Sequence, residues 1–254
     1  MKEEKFIYRP FNGTFWLIVA GYIAFSFGLC YILNGYDLAV RKTVMLVICG
    51  CVIVYYFIYK YQLSKDKEYD ELYYSKYGGF TWWMELPFHL CNINMFLGPI
   101  GILTSNRYIM GFAFFIGPVG TAMAILMPSH SFNNFSIFKK RMLGYYGTHF
   151  SIMFNCILLC PLGFYMPQYS DVLPIALVGT VVSFVIFLFN MVLRKTGIAT
   201  GANYFYTCDP DENKVLLLSY KLIPHKYLFI IPLLIAFIPY MYLVTFIVHL
   251  IAGI

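Results

Sequence analysis

The chain has 254 residues, 60% of them hydrophobic and only 12% charged, with a mean hydropathy of +0.69 and a formal net charge of +6. Soluble globular chains carry roughly 25% charged residues, so this composition excludes an ordinary soluble enzyme and leaves a polytopic membrane protein without room for a separate folded soluble domain. The apolar residues form long runs such as 228–238 and not short alternating segments, which excludes a transmembrane barrel. The basic residues are divided among connecting segments and form no single patch, so nucleic acid is not an expected partner.

The N-terminus reads Met1-Lys2-Glu3-Glu4-Lys5 and reaches its first apolar run only after Arg9, Pro10 and Asn12. No small-residue cleavage site follows a short apolar core, so no removable signal peptide is expected. Spans of about 20 residues are then expected at 14–33, 43–59, 82–103, 108–126, 142–165, 172–192 and 227–251. The expected architecture is an all-α, seven-span transmembrane bundle, one domain over 1–254, in the cell membrane. Of 18 Lys and Arg residues, all but Arg41, Lys42 and Arg107 fall on alternate segments, beginning with the N-terminus. The positive-inside rule then predicts a cytoplasmic N-terminus and an external C-terminus. Pro87, Pro99, Pro118, Pro161, Pro232 and Pro239 lie inside the expected spans. Each removes a backbone donor, and such kinks either open a cavity or merely shape packing. No internal repeat is visible. Cys30, Cys49, Cys51, Cys91, Cys156 and Cys160 sit in apolar runs and only Cys208 in a polar one, unlike a disulfide framework.

Embedded polarity concentrates in the third and fifth spans. In the third, Glu85, His89 and Asn92 stand at i, i+4 and i+7, which a continuous helix places on one stripe. An ionisable residue at membrane depth points to function. The structural alternative has Glu85 reaching the interface while His89 and Asn92 hydrogen-bond as packing glue. In the fifth, Tyr145, His149, Cys156 and Cys160 fall near one face at helical spacing. Both spans enter from the same side, and at about 1.5 Å per residue Cys91 and His149 reach depths of about 14 and 11 Å, close enough to meet. A thiol beside an imidazole is the minimal unit of nucleophilic acyl transfer. A lone membrane cysteine is also commonly inert, and on a regular helix Cys91 points about 160° from His89. A metal site built from His89, Cys91, His130 and His149 lacks a tight ligand spacing, so neither a metal nor another cofactor is expected.

The segment 61–79 reads as a solvated charged connection. The segment 194–226 is too aromatic for a free linker, and Tyr204 and Tyr206 are expected to anchor it at the headgroup level or to make it a lid. Asn134-Phe135-Ser136 matches a glycosylation acceptor but falls on the side expected to be cytoplasmic.

The string Leu86-Pro87-Phe88-His89-Leu90-Cys91-Asn92, His149 at the opening of the fifth span, and Gly201-Ala202-Asn203-Tyr204-Phe205-Tyr206 resemble the YwaF family of bacterial integral membrane proteins. That family is similar to an animal transmembrane acyltransferase that forms ether phospholipids. The resemblance covers about two thirds of the chain, from Tyr77 onward, and this chain has Gly-Ala-Asn-Tyr where the family usually has Gly-Thr-Asn-Tyr. It implies a cysteine nucleophile, carried onto Cys91, and a histidine base, carried onto His149. A more distant likeness is to transmembrane fatty-acid ester hydrolases using threonine and histidine.

The expected function is therefore a membrane-embedded acyltransferase or lipid transacylase acting on phospholipids or lysophospholipids, with Cys91 and His149 catalytic. Asn92 or Asn203 is expected to stabilise the oxyanion, with Glu85, His89 and Tyr204 as supporting polar residues. The alternative is a transporter or a protein binding a proton or small ligand, with Glu85, His89 and His149 lining a polar pathway.

Overall fold

In the computed structural model, which describes residues 6–211 and 213–254, the regular secondary structure of the described residues is helical apart from an isolated bridge between Ile7 and Ser136. The basic residues Lys2 and Lys5 of the charge pattern lie outside the described residues. Helix α1 spans Gly13–Leu33, α2 Leu38–Leu63, α3 Leu90–Thr104 and α4 Arg107–Leu126. Then follow α5 at Lys140–Leu158, α6 at Val172–Lys195, the short α7 at Lys214–Leu222 and α8 at Ile231–Ala252. Polar side chains cap the starts of α1, α2, α4 and α7, where the first N–H groups need acceptors. Asn12 Oδ1 accepts from Phe15 N at 2.9 Å, Asp37 Oδ1 from Val40 N at 2.9 Å, and Asn106 Oδ1 from Tyr108 N at 3.0 Å.

Five helical segments are long and apolar enough to cross a membrane: α1, α2, α4, Tyr169–Lys195 and Leu228–Ala252. The chain is thus a multi-pass membrane protein. The two remaining long helices stand where the third and fifth spans are expected, but differently from expectation. With 15 residues, α3 rises about 22 Å, short of a hydrocarbon core of about 30 Å. The expected third span begins at 82, whereas α3 begins at Leu90, because Pro87 lacks an N–H and disfavours helical geometry at Leu86. The expected fifth span runs to 165, whereas α5 stops at Leu158 just before Pro161. Gly163 then turns the chain at φ 81°, leaving Cys160 outside the helical face assigned to it. In the other direction, α2 continues beyond residue 59 and carries Lys60 inside the fold.

The core lies on α4. Of its most apolar window 61% is buried, against 6–22% for the other four candidates, so α4 is the hub and the rest turn apolar faces outward. Phe27, Tyr31, Leu177 and Leu250 are strongly exposed, as a hydrocarbon surround permits and water does not. Close approach around the hub needs small residues. A side chain at Gly144 of α5 would collide with the Tyr59 ring of α2, so that crossing requires glycine.

Connections gather at two ends. At one, Tyr8 N donates to Phe135 O at 2.9 Å, and Arg141 meets Glu68 at 3.1 Å and Asp66 at 3.4 Å. At the other, Arg107 grips Asp171 with two 2.6 Å bonds, and Tyr165 OH donates to the same carboxylate at 2.9 Å.

Candidate active site

Between α2 and α3, residues 81–89 hold only a helical turn at Trp82–Met84, capped by Thr81 Oγ1, which accepts from Trp83 N at 3.3 Å. Irregular backbone within a membrane bundle must be satisfied by other protein groups. Tyrosines do this here. Tyr204 OH donates to Trp83 O at 2.8 Å and accepts from Leu86 N at 3.0 Å, while Tyr56 OH donates to Glu85 O at 3.1 Å. The helical stripe of Glu85, His89 and Asn92 is therefore not present. Glu85 lies in the bend before α3, His89 is the N-cap residue, and only Asn92 lies within the helix.

Glu85 is buried at 8% exposure and does not reach outward. One carboxylate oxygen pairs with Lys60 Nζ, and the other accepts from Tyr74 OH and, at 3.2 Å, from Tyr69 OH. The Lys60 ammonium also stands 5.3 and 5.0 Å from the ring centres of Tyr56 and Tyr59. Lys60 was not apparent from sequence, because a lysine closing an apolar run reads as an interface residue. The one available signal is its helical spacing of four from Tyr56.

Cys91 lies in the first turn of α3. His89 makes no side-chain cap bond there, and the first-turn N–H groups of Cys91 and Asn92, which have no backbone acceptor one turn earlier, lie against the Cys91 sulfur. Asn92 is buried and its Oδ1 has no partner among the described residues. On the facing helix Gly120 brings α4 close: a Cβ there would stand 3.3 Å from Cys91 N.

His149 sits in mid-α5, and its Nδ1 lies 2.6 Å from Tyr145 O. A carbonyl only accepts, so Nδ1 carries the proton and Nε2 is the free basic nitrogen of the neutral ring. Tyr145 is itself fixed, stacked on Phe132 at 4.1 Å with its OH donating to Ala124 O at 3.0 Å.

These elements enclose a cavity of about 250 Å³, lined by Cys91, His149, Glu85, His89, Asn92 and Asn203 together with Lys60, Tyr73 and Tyr206. Cys91 and His149 thus share one space, although among the described residues no hydrogen bond joins them. Cys156, grouped with His149 by sequence spacing, instead lines a separate small cavity with Cys49 and Asn155.

The aromatic loop differs from expectation. Tyr204 is not a headgroup anchor but is 1% exposed, with its OH holding the bend before α3. Its backbone is bound in both directions by the buried Asn190, which donates to Tyr204 O at 2.8 Å and accepts from Tyr204 N at 3.0 Å. Asn203 lines the cavity, but its amide donates to Asp209 Oδ1 at 2.8 Å and its Oδ1 accepts from Cys208 N at 3.0 Å. Its polar atoms hold the loop together, which removes it as a free oxyanion donor.

The fold and cavity define a helical multi-pass membrane protein with a polar, partly charged chamber among its helices. The chain belongs to the TMEM164 family, whose model matches residues 10–245. No curated protein and no solved structure matches it.

Proposed function

We propose that the cavity is an acyl-transfer site with Cys91 as nucleophile and His149 as general base, acting on phospholipids and lysophospholipids of the cell membrane. The observation that carries this reading is one shared cavity holding a thiol on an uncapped helical first turn and an imidazole whose Nδ1 is committed to a carbonyl. Membership of the TMEM164 family is consistent with a membrane lipid acyltransferase, and the likeness to YwaF proteins supports the same two residues.

In the first half-reaction His149 Nε2 takes the Cys91 proton and the thiolate attacks the acyl ester carbon of a donor lipid. The N–H groups of the α3 first turn then stabilise the negative charge that develops on the carbonyl oxygen. The carbon–oxygen ester bond breaks, the leaving lysolipid oxygen takes the proton from His149, and a thioester remains on Cys91. In the second half-reaction His149 takes the proton of a lysolipid hydroxyl, which attacks the thioester. The new ester leaves, and the proton returns to the Cys91 thiolate. His89, held against the Tyr204 and Tyr206 rings at 5.1 and 5.6 Å, shapes the site beside the nucleophile. On this reading seven segments cross the membrane, the third made of α3 and the irregular residues 82–89 ahead of it, the N-terminus is cytoplasmic, the C-terminus is external and the cavity opens toward the cytoplasmic leaflet.

The test uses full-length protein in lipid nanodiscs with a labelled phospholipid donor and a lysophospholipid acceptor. Wild type is expected to form a thioester and transfer the label. Cys91→Ala is expected to abolish both, and His149→Ala to slow transfer by about 10²–10⁴-fold. Unchanged transfer in Cys91→Ala refutes the reading. Proton- or solute-coupled flux indifferent to Cys91→Ala supports the transporter alternative.

A further inference from the structure

Beyond its polar chamber the cavity has an apolar arm. Its α4 wall descends through Gly120, Ile116 and Phe112, residues spaced to share one helical face. Because Gly120 is level with the Cys91 backbone, the arm runs about 12 Å beyond the nucleophile to Phe112. Helix α6 supplies Ser183, Gly179 and Ile175, while α8 supplies Phe237 and Met241. The one hydroxyl among them is turned away, since Ser183 Oγ donates to Thr180 O at 2.8 Å. Phe112, Ile175 and Met241, each at most 2% exposed, close the far end.

We propose that this arm is a blind slot for one acyl chain and that Gly179 sets its usable length, an inference that rests on the acyl-transfer reading and names its chain selectivity. Three observations carry it. The cavity, at about 250 Å³, lies below the roughly 300–1,000 Å³ of drug-sized sites, which fits one chain with its ester and excludes a whole two-chain lipid. The arm's depth of about 12 Å approaches half of a hydrocarbon core of about 30 Å. Gly179 lies one turn above Ile175, and a Cβ there would meet only Phe112 Cε2, at 3.5 Å. A methyl group fits that space, whereas a longer side chain must enter the slot.

The experiment compares kcat/KM for donors carrying hexanoyl, octanoyl and decanoyl chains, the last matching a slot of about 12 Å, in wild type and in Gly179→Ala, Gly179→Val and Gly179→Leu. Blocking one helical turn removes room for about four methylenes, and each methylene is worth about fourfold in affinity. The decanoyl-to-hexanoyl ratio is expected to fall progressively with side-chain size, by at least about tenfold in Gly179→Leu. Leu177→Ala, on the exposed face of the same helix, should leave the ratio unchanged. A second readout is independent of turnover: a decanoyl lysophospholipid bearing a terminal diazirine should cross-link to the 172–186 peptide in wild type and lose that product in Gly179→Leu. If Gly179→Leu does not fold, Ala176→Leu, deeper in the same wall, carries both measurements. An unchanged chain profile, or cross-linking insensitive to Gly179→Leu, overturns the slot. Cross-linking at 172–186 that Gly179→Leu removes, without Cys91-dependent transfer, retains the slot and overturns the acyl-transfer reading.

Discussion

Replacing Lys60 by Met tests whether the buried ion pair holds the irregular segment ahead of α3. Lys60 and Glu85 have side chains 11% and 6% exposed, so the substitution leaves a carboxylate with almost no access to solvent. Removing one partner of such a pair costs about 3–5 kcal/mol. Tyr69 and Tyr74 still donate to Glu85, which places the expected loss near the lower end, at about 3 kcal/mol. On the scale of soluble domains of this size that is about 6–12 °C in Tm. Glu85→Gln should also destabilise, because it leaves the buried Lys60 ammonium without a counter-charge, beside the Tyr56 and Tyr59 rings. The double variant Lys60→Met/Glu85→Gln has no unpaired charge and should recover most of the loss, giving a coupling of about 2 kcal/mol or more. The assay is thermal unfolding of all four proteins in one detergent. Single variants within about 0.5 kcal/mol of wild type, with additive effects, would refute the assignment of this pair as the support of the bend.

Gly120→Val should force α4 away from the first turn of α3, costing about 1–3 kcal/mol in overpacking and reducing Cys91 acylation more than overall fold content measured by circular dichroism. Asn190→Ala strips the buried Tyr204 backbone of its partners. It should cost about 1–3 kcal/mol and speed proteolysis within 196–211; unchanged proteolysis would show that the loop holds without it. At the loop end, hydrogen bonding from Arg141 and then from Lys139 keeps Glu68 below the ordinary carboxylate range. A depressed pKa contributes stability above the unfolded value that is lost as pH falls through the folded one. Tm should therefore drop on acidification through the acidic carboxylate range, and Glu68→Gln should flatten part of that slope; identical pH profiles would dismiss the contact.

What could be read from sequence followed from hydropathy and from chemistry concentrated in short strings. Long apolar runs placed the helices to within a few residues where a cap marked the start, as at Asn12 and Asn106. The pairing of a third-segment thiol with a fifth-segment histidine rested on a continuous helical rise that is absent before Leu90, yet both residues line one cavity. The errors came from treating prolines as kinks within continuing helices. Pro87 and Pro161 instead stand outside α3 and α5, which moves Glu85 and Cys160 off their assigned faces. Periodicity was also silent on who would satisfy the resulting free backbone. Lys60, Tyr69 and Tyr74 are distant from Glu85 in the chain, and an aromatic loop reads equally well as an interfacial belt or as the buried brace that Tyr204 provides. Asp171 escaped notice for a related reason: an acidic residue just before an apolar run reads as solvent-facing, yet it is 2% exposed against Arg107 and Tyr165.

The position of Cys91 and the burial of so many phenols have one physical cause. A helix crossing the whole bilayer would place its uncapped N–H groups at the interface, where water satisfies them. Starting α3 at Leu90 instead brings those donors into the bundle beside the thiol, and leaves residues 81–89 with a single helical turn and otherwise irregular backbone inside the bundle, where unpaired groups are costly. The cost is offset locally, by the hydroxyls of Tyr56 and Tyr204 on the backbone and by Lys60, Tyr69 and Tyr74 on the Glu85 side chain. Each of those groups is supplied by α2, the turn after it, or the loop ahead of α7, so the first turn of α3 keeps its geometry only while all three remain docked. Disturbing the brace at Asn190 and disturbing the ion pair at Lys60 act on the same bend from opposite sides. Both should therefore reach the reactivity of Cys91 without either residue touching the thiol.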